Sequence, residues 1–307
     1  MKNAQFISVI IPTYKQTGNL HSAIDSVLSQ TYQNIEIIVV DDNNPETVDR
    51  KQTEELMQEY EDNPKVLYLK HEHNKNGSAA RNTGFKVSTG DYIAFLDDDD
   101  YWEPEKLEKQ LNYLVTHPEY DAVYVYLNIT NGGKNPNHCC EGDLAVKYLT
   151  NYVSLQTSCV LFTRKSVKTI NGFDESFRRH QDYEFMLRFF FEGFKMGCIP
   201  EYLSYVNSAG SNRVSGRKLN ELKEQFLKTF EKQFDELERK TPGTKKKIFV
   251  ANYVKVFESH IASHYYRLAY EIFRKYFFMS PFEFFKQCVL LLTNHFKRAH
   301  SRKKANE

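Results

Sequence analysis

Residues 8–44 read SVIIPTYKQTGNLHSAIDSVLSQTYQNIEIIVVDDNN, and this stretch decides the predicted fold. Two short apolar runs, FISVII at 6–11 and IEIIVV at 35–40, are rich in β-branched residues and are typical of buried strands. Between them, apolar residues recur at helical spacing from Leu20 to Leu28. A strand, a helix and a second buried strand in succession predict a mostly parallel sheet that is flanked by helices.

The same alternation continues outward from this unit. We predict further strands at 66–69, 92–96, 122–127 and 158–163, and further helices at 53–60, 79–87, 104–118 and 181–193. From Leu219 onward the pattern is helical almost throughout. Polar clusters follow several strand ends, and ligands of such α/β sheets collect beyond the carboxyl ends of the strands. The sequence therefore predicts a Rossmann-like α/β fold with a site at that edge of the sheet.

The charge is unevenly distributed along the chain. The 307 residues carry a formal net charge of +1, and 41% of them are hydrophobic, which is enough for a sizeable core. Residues 215–307 hold 20 Lys and Arg against 10 Asp and Glu, whereas residues 1–214 hold 21 against 30. We therefore predict an acidic α/β domain over 1–214, with halves at 1–103 and 104–214, and a basic helical extension over 215–307.

Several broad classes of protein are disfavoured by the sequence. Five cysteines without a CxxC pair indicate neither a disulfide framework nor a zinc site, and they suit a cytoplasmic protein. The N-terminus enters a strand without an apolar leader, so we expect no signal peptide. The apolar stretch at 277–296 contains Pro281 and charged residues, which makes it a poor membrane span. The acidic body argues against nucleic acid as a partner.

Four consecutive aspartates, Asp97–Asp100, follow the strand YIAFL and are the strongest functional signal. Adjacent carboxylates repel one another, which lowers stability unless a cation or solvent relieves the field. In an extended segment Asp97 and Asp99 share a face, and oxygen-only ligands suit Mg²⁺ or Mn²⁺. A solvated acidic turn is the alternative. An EF-hand loop is excluded because Trp102 stands where that loop needs glycine.

Other polar positions suit a nucleotide or acid–base chemistry. Asp41 and Asp42 end a strand and are suited to binding a base or ribose, although the same residues are common in turns. A glycine turn, a helix start and Arg81 stand together, which suits a phosphate; a capped helix whose arginine pairs with a surface carboxylate explains the pattern equally well. Asp182, in the first turn of a helix, is a candidate base or a cap, with His180 as the second candidate.

These stretches together resemble the family 2 glycosyltransferases, which have the GT-A fold. The resemblance covers about residues 5–200 and rests on 8–44, on NKNGSAARNTGFKVSTGDYIAFLDDDDYW and on NGFDESFRRHQDYEFMLRF. It implies a nucleotide-sugar donor, most often a UDP-sugar, and a DXD-type site for Mn²⁺ or Mg²⁺. It also implies transfer to a saccharide or lipid-linked acceptor in the synthesis of cell-surface polysaccharide or glycolipid, at the cytoplasmic face of a membrane.

The resemblance implies roles for individual residues. The nucleotide and its sugar would contact Pro12, Thr13, Tyr14, Asp41, Asp42, Arg81, Asn82, Asp97 and Asp98, with Asp42 and its neighbour taking the uracil. Asp99 would ligate the metal together with Asp97. Asp182 would be the catalytic base, and Gln181 replaces the usual acidic residue before it. Arg213 is the nearest candidate for the basic residue of a mobile donor loop. A single base without a second carboxylate as nucleophile predicts inversion.

The tail from residue 215 lies outside the resemblance. Its aromatic residues, followed by Lys297, Arg298 and further basic residues, suit an interfacial helix on anionic lipid. A helical bundle that packs on itself, on the catalytic body or on a second subunit explains them equally well. Two other functions stay open. A nucleotidyltransferase would show a glycine-rich phosphate loop, and a non-catalytic nucleotide-sugar-binding module would dispense with Asp182 and the metal.

Overall fold

A computed structural model describes residues 5–15, 17–130, 133–134, 138–207 and 216–305. The chain forms two compact units. The first comprises residues 1–135, 139–143 and 155–208, and the second comprises residues 136–138, 144–154 and 209–307. Residues 144–154, which the sequence places in the α/β domain, therefore cluster with the C-terminal helices.

The first unit is built on one mixed sheet. Its strands are β1 (Ile7–Thr13), β2 (Ile35–Asp41), β3 (Val66–Lys70), β4 (Tyr92–Phe95), β5 (Tyr101–Trp102), β6 (Ala122–Thr130), β7 (Gly133–Lys134), β8 (Val160–Thr163) and β9 (Met196–Asn207). Their order is β3-β2-β1-β4-β8-β6-β9-β5, with β7 paired to β6. Strands β1 to β4 pair in parallel, as predicted. Strand β8 runs antiparallel to both β4 and β6, so the sheet changes direction where its second half begins.

Helices connect and cover these strands. The first unit contains α1 (Thr17–Leu28), α2 (Val48–Gln58), α3 (Gly77–Val87), α4 (Lys106–Thr116), α6 (Arg164–Thr169) and α7 (Gln181–Phe191). The second contains α5 (Ala145–Leu149), α8 (Gly216–Thr229), α9 (Glu231–Lys240), α10 (Thr244–Ala262), α11 (Tyr266–Met279) and α12 (Pro281–Ala305). Helix α2 begins earlier than predicted because the Thr47 hydroxyl accepts a hydrogen bond from the Arg50 amide at 3.2 Å and caps it.

The core of the first unit lies directly below the strand ends that carry the polar residues. Every residue of β1 is buried, as expected for a central strand covered on both faces. Phe95, at the end of β4, meets Phe173 edge-on with ring centroids 5.0 Å apart, and Phe173 stacks on Phe185 of α7 at 4.2 Å. These aromatic contacts attach α7 and the loop before it to the end of β4.

The second unit is organised around α10, which packs against α8, α9, α11 and α12. The buried Asn252 side chain of α10 donates to the carbonyls of Leu149 and Ile248 at 3.0 and 2.9 Å, and accepts from Lys223 Nζ at 2.9 Å. Buried polar groups must be paired, and this asparagine ties α5 and α8 to α10. Within the described ranges, no helix is both long enough and apolar enough to cross a bilayer.

Candidate active site

The carboxyl ends of β1, β2 and β4 meet at one edge of the sheet. The Asp42 amide donates to the Thr13 carbonyl at 2.9 Å, and the Tyr14 amide donates to the Asp98 carboxylate at 3.2 Å. Pro12 and Thr13 lie in the buried β1, whereas Tyr14 is 42% exposed. The predicted clustering of polar strand ends is therefore confirmed.

The acidic run forms a turn. Leu96 still bonds to the Ile10 carbonyl of β1 at 3.0 Å, and one residue later the Asp100 amide donates to the Asp97 carbonyl at 3.0 Å. The chain thus reverses over Asp98 and Asp99, and our expectation of an extended segment is wrong. Aspartate favours turns because its short side chain competes for nearby backbone groups, and here it ends the strand.

Burial separates the carboxylates of this turn. Asp98 and Asp100 are only 8% and 2% exposed, whereas Asp97 and Asp99 are half-buried. Asp100 accepts a hydrogen bond from the Asn207 amide at 3.1 Å and so ties the end of β9 to the turn. Burial raises the pKa of Asp98 to about 8, with a further contribution from its acidic neighbours, while the Thr13 hydroxyl and the Tyr14 amide act against it. Burial and the neighbouring acids therefore both oppose ionisation of Asp98 in this turn.

Arg81 is the cation that faces this turn. Its buried guanidinium forms an ion pair with Asp97 and donates to Gln181 Oε1 at 3.0 Å. The guanidinium also lies over the Phe173 ring at 5.3 Å from its centroid. Burial lowers the pKa of Arg81, but the charges of Asp97 and Asp182 outweigh it and raise the pKa overall. Its partner is Asp97 of the acidic turn, whose side chain is 37% exposed.

The start of α3, beside which Arg81 lies, is already capped. The Asn76 side chain accepts hydrogen bonds from the Ser78 and Ala79 amides at 2.9 and 3.2 Å. These are the backbone donors that a phosphate would use at a helix N-terminus. These two amides are therefore already paired within the chain, and phosphate binding beside Arg81 stays a prediction.

Helix α7 brings Asp182 to the same place. Its carboxylate accepts a hydrogen bond from the Thr157 hydroxyl at 3.2 Å. Burial and the charge of Asp97 raise the pKa of Asp182, and Arg81 opposes this. A carboxylate with a raised pKa is a stronger proton acceptor than an ordinary aspartate. His180 stands directly before the first residue of this helix, and its side chain makes no capping bond.

The neighbouring carboxylate of α7 has a different task. Glu184 is buried and bonds to Arg188 Nη2 at 2.7 Å, and the same guanidinium nitrogen donates to the Gly172 carbonyl at 2.8 Å. Two positions along a helix are about 200° apart, so only one of the two acids faces the site. That residue is Asp182, as predicted.

Asp41 is fully engaged within the chain. Its buried carboxylate accepts from the Asn43 amide at 2.8 Å and from the Tyr68 hydroxyl at 2.6 Å, and it lies 2.9 Å from Arg50 Nε. Arg50 is itself buried and also donates to the His71 carbonyl at 2.9 Å. These contacts give Asp41 a structural task at the end of β2.

Asp42 is saturated in the same way. One oxygen lies 2.7 Å from His71 Nδ1 and accepts from the Lys75 amide at 2.8 Å. The other accepts from Asn74 Nδ2 at 2.8 Å and from the Asn76 amide at 2.9 Å. A carboxylate has about four acceptor positions, and all are used here to hold the loop that leads into α3. The contact with uracil stays a prediction, and it requires one of these bonds to be released.

Asn82 joins α3 to the loop before α7. Its side chain exchanges hydrogen bonds with the backbone of Phe173, at 2.9 and 2.8 Å, and donates to Glu175 at 2.9 Å. Gly172 has φ +65°, and a Cβ there would lie 2.4 Å from the Asn82 amide oxygen. Only glycine fits this approach, which explains the Asn-Gly-Phe-Asp sequence. Asn82 therefore acts on the loop, and its contact with the nucleotide stays a prediction.

Two site residues were not predicted. Ser158 accepts from the Asp97 amide at 3.3 Å, and its carbonyl accepts from Trp102 Nε1 at 2.7 Å. Thr157 bonds to Asp182, as described above. Both lie in a 3-10 turn at Thr157–Cys159 where the sequence predicted the start of a strand. Small hydroxyl residues are common in turns, so no local signal marks them. Arg213, the donor-loop candidate, lies outside the described residues.

The residues of the acidic turn fit a divalent cation. Burial and the charge of Asp97 raise the pKa of Asp99 to about 6, so a nearby cation would relieve a repulsion that is already present. The donor set is oxygen only, which suits Mg²⁺ or Mn²⁺. In the described part of the chain, His, Cys, Asp and Glu form no ready three-residue metal cluster. Magnesium is commonly held by one or two carboxylates together with substrate phosphates, which is compatible with Asp97 and Asp99.

Comparison with known proteins identifies the family. The sequence profile of glycosyl transferase family 2 matches residues 8–188. The chain belongs to this family. It is 32% identical over 215 residues to the amylovoran biosynthesis glycosyltransferase AmsB of Erwinia amylovora. This match covers 66% of this chain and 70% of AmsB. It is 30% identical over 226 residues to WfaP of Escherichia coli, a UDP-Glc:alpha-D-GlcNAc-diphosphoundecaprenol beta-1,3-glucosyltransferase, covering 71% of this chain and 83% of WfaP.

Solved structures support the fold of this glycosyltransferase. Residues 1–349 of TarS from S. aureus, in complex with UDP-GlcNAc, superpose with a TM-score of 0.59 at 17% identity, covering 89% of this chain and 72% of that one. The same part of TarS in complex with UDP gives a TM-score of 0.58. The predicted GT-A fold is confirmed. Family membership decides against the nucleotidyltransferase and the non-catalytic binding module.

Proposed function

We propose that this glycosyltransferase moves a sugar from a UDP-sugar to a hydroxyl group of a saccharide or lipid-linked acceptor, in the synthesis of cell-surface polysaccharide or glycolipid. The observation that carries the proposal is the convergence of the acidic turn, Arg81 and Asp182 at one sheet edge. TarS binds UDP and UDP-GlcNAc, and AmsB and WfaP are named for polysaccharide synthesis and for transfer to a diphosphoundecaprenol-linked sugar.

The donor is held by complementary charge in this proposal. Asp97 and Asp99 would hold Mn²⁺ or Mg²⁺, and such an ion, when bound, supplies positive charge to the departing diphosphate. Arg81 would donate to the same diphosphate, and its ion pair with Asp97 orients the guanidinium before the donor arrives. Gln181 accepts from Arg81 without adding a negative charge, which favours an anionic ligand beside it. Tyr14 offers an exposed aromatic ring at the end of β1.

Asp182 is the proposed catalytic base. It takes the proton from the acceptor hydroxyl while that oxygen bonds to the anomeric carbon. The bond from the anomeric carbon to the diphosphate breaks in the same displacement, and its electron pair leaves with UDP. Glu184 is bonded to Arg188, so α7 supplies no second carboxylate as a nucleophile. A single displacement inverts the anomeric centre, and an α-linked donor gives a β-linked product.

A screen of UDP-sugars with Mn²⁺, with and without saccharide and lipid-linked acceptors, tests the activity. Asp182→Asn should lower transfer by about 10²–10⁴-fold, because the acceptor loses its base. UDP affinity, measured by calorimetry, should stay within about twofold, since Asp182 does not contact the donor phosphates in this proposal. Glu192→Gln, an exposed acid at the end of the same helix, is the matched control. Preserved turnover in Asp182→Asn removes the assignment, and UDP binding that is equal without metal removes the metal site.

The proposed location is the cytoplasmic face of a membrane, with the protein attached peripherally. A lipid-linked acceptor keeps its sugar at the membrane surface, so an enzyme that uses it gains from residence there. Fractionation of cells, followed by extraction of the membranes at high salt, tests this location. Recovery of the protein only in the soluble fraction would overturn it.

A further inference from the structure

Helices α11 and α12 of the second unit present apolar side chains to solvent. Phe282 is 80% exposed and Phe278 is 73% exposed, and Phe285, Val289 and Leu292 are each more than half exposed. We call these five residues the apolar face. A soluble surface rarely gathers large apolar side chains in one patch, and such patches mark contact sites.

The apolar face follows the geometry of α12. Phe282, Phe285, Val289 and Leu292 recur at intervals of three and four residues, so they lie along one side of the helix. Phe284 lies on the opposite side and is buried in the unit. Helix α12 is therefore apolar on two sides at this level, with Phe284 buried on the inner side and the other side largely exposed.

The apolar face continues onto α11 through Phe277. The Phe277 ring lies 5.4 Å from that of Phe278 and 5.5 Å from that of Phe285, with both pairs edge-on. Nearer the N-terminus of α11, the exposed Tyr266 and Tyr270 lie one turn apart on one side of that helix. Tyrosine favours the boundary between apolar and aqueous phases because it has an apolar ring and a polar tip.

The basic residues around the apolar face favour an anionic partner. Between residues 265 and 305 the sequence holds nine Lys and Arg against two Glu. Among the side chains that the structure describes in these two helices, Arg267, Arg274, Lys275 and Lys286 are exposed, whereas the acid Glu283 is buried. Basic residues beside an apolar helix face are the combination that binds anionic bilayers. We propose that the apolar face inserts into the surface of an anionic lipid bilayer, with the exposed basic residues at 267–286 against the lipid head groups.

A second copy of the chain fits this surface less well. Two identical faces in a symmetric dimer would bring two strongly positive segments together, and like charges at close range oppose association. Lipid attachment extends the proposed function, since it places the enzyme beside a lipid-linked acceptor. It depends on different residues, and the two are tested separately.

Flotation of the full chain with vesicles tests the attachment. Vesicles of one part phosphatidylglycerol to two parts phosphatidylcholine should bind the protein, and pure phosphatidylcholine should bind it at least about tenfold more weakly. The double variant Phe282→Ser, Phe285→Ser should weaken binding to the anionic vesicles by roughly tenfold or more, because it removes two apolar side chains from the lipid contact. Val115→Ser and Leu67→Ser, exposed apolar residues of the first unit, form the matched control and should bind normally.

The activity assay separates this proposal from the proposed function. The Phe282→Ser, Phe285→Ser variant should hydrolyse UDP-sugar at the rate of the unchanged protein. It should also transfer the sugar to a water-soluble acceptor at the unchanged rate. Equal binding of unchanged protein and double variant to anionic vesicles overturns the lipid contact. A dimer in sedimentation that the double variant converts to a monomer also overturns it, because the face then belongs to a second copy. Normal flotation with no transferase activity would instead overturn only the proposed function.

Discussion

The sheet edge of the first unit and the apolar face of the second depart in opposite directions from the usual distribution of side chains. At the sheet edge, the acidic Asp98 is buried and the acidic Asp182 is half-buried, and burial raises the pKa of both. On the apolar face, Phe278 and Phe282 stand in water although they are hydrocarbon. Both arrangements are unfavourable for an isolated chain.

Other charged groups of the first unit are buried together with partners that match their charge. Asp41 is just as buried as Asp98, but it is matched by Arg50, Tyr68 and a backbone amide. The difference underlies the two proposals, which assign the unmatched groups to contacts with other molecules: a cation and a diphosphate at the sheet edge, and a lipid surface at the apolar face. Matched groups such as Asp41 belong to the fold.

Of the variants that test this comparison, one that removes the Arg81 guanidinium should have the largest effect. Arg81→Gln should lower kcat/KM for transfer by about 10²–10³-fold, because the departing diphosphate loses a charged donor and Asp97 loses its partner. Steady-state kinetics with the best UDP-sugar measures this. Arg164→Gln is the control, since that arginine bonds to Ser88 and the Gly90 carbonyl before β4 begins. Equal losses in the two variants would show that the effect is structural and would contradict a role at the site.

Asp42 tests whether a matched carboxylate is structural. Asp42→Asn should lower the free energy of unfolding by about 2–3 kcal/mol, because an amide cannot accept from all four of its donors. Urea unfolding measures this, and UDP titration of the folded variant measures affinity. Asp62→Asn, at an exposed position, should leave both unchanged. Unaltered stability with a large loss of UDP affinity would instead establish the direct contact with uracil.

The buried Lys106 should make the free energy of unfolding depend on pH. Burial lowers the pKa of Lys106 to about 7, whereas an unfolded lysine has a pKa of about 10.4. Between these values the unfolded chain binds the extra proton, so the free energy of unfolding should rise with pH, by about 2 kcal/mol from pH 7 to pH 9. Lys106→Met should remove that part of the rise in urea unfolding measured at the two pH values. An unchanged rise would show that Lys106 keeps an ordinary pKa.

The smallest effect is expected on the apolar face. Phe285→Ala should lower the free energy of unfolding by less than about 1 kcal/mol, because its ring is 59% exposed and meets Phe277 only edge-on. Phe284→Ala, the next residue toward the N-terminus, is the internal comparison, and it should lower stability by about 3 kcal/mol because its ring is buried. Thermal unfolding of both variants measures the difference. Similar losses of stability in the two variants would mean that the apolar face stabilises the fold, which would argue against its being a contact site for a partner.

Much of the fold was predictable because burial repeats locally along the sequence. The runs at 6–11 and 35–40 are apolar throughout since both faces of a central parallel strand are covered, and they form β1 and β2. The strand YIAFL ends where four aspartates begin, so the edge of the sheet and the position of the acidic site follow from the sequence. The bias of the tail toward basic and aromatic residues was equally visible in the composition.

The tertiary structure alone decided which of the polar residues are free for ligands. Asn82 bonds to Phe173, and Arg81 bonds to Gln181, across about ninety and one hundred residues of chain. Such partners cannot be read from local patterns, because a side chain offers the same hydrogen-bonding groups whether another part of the chain or a ligand meets them. Periodicity is a property of neighbouring residues and survives in the sequence. Saturation of a carboxylate such as Asp42 depends on distant groups that only folding brings within 3 Å.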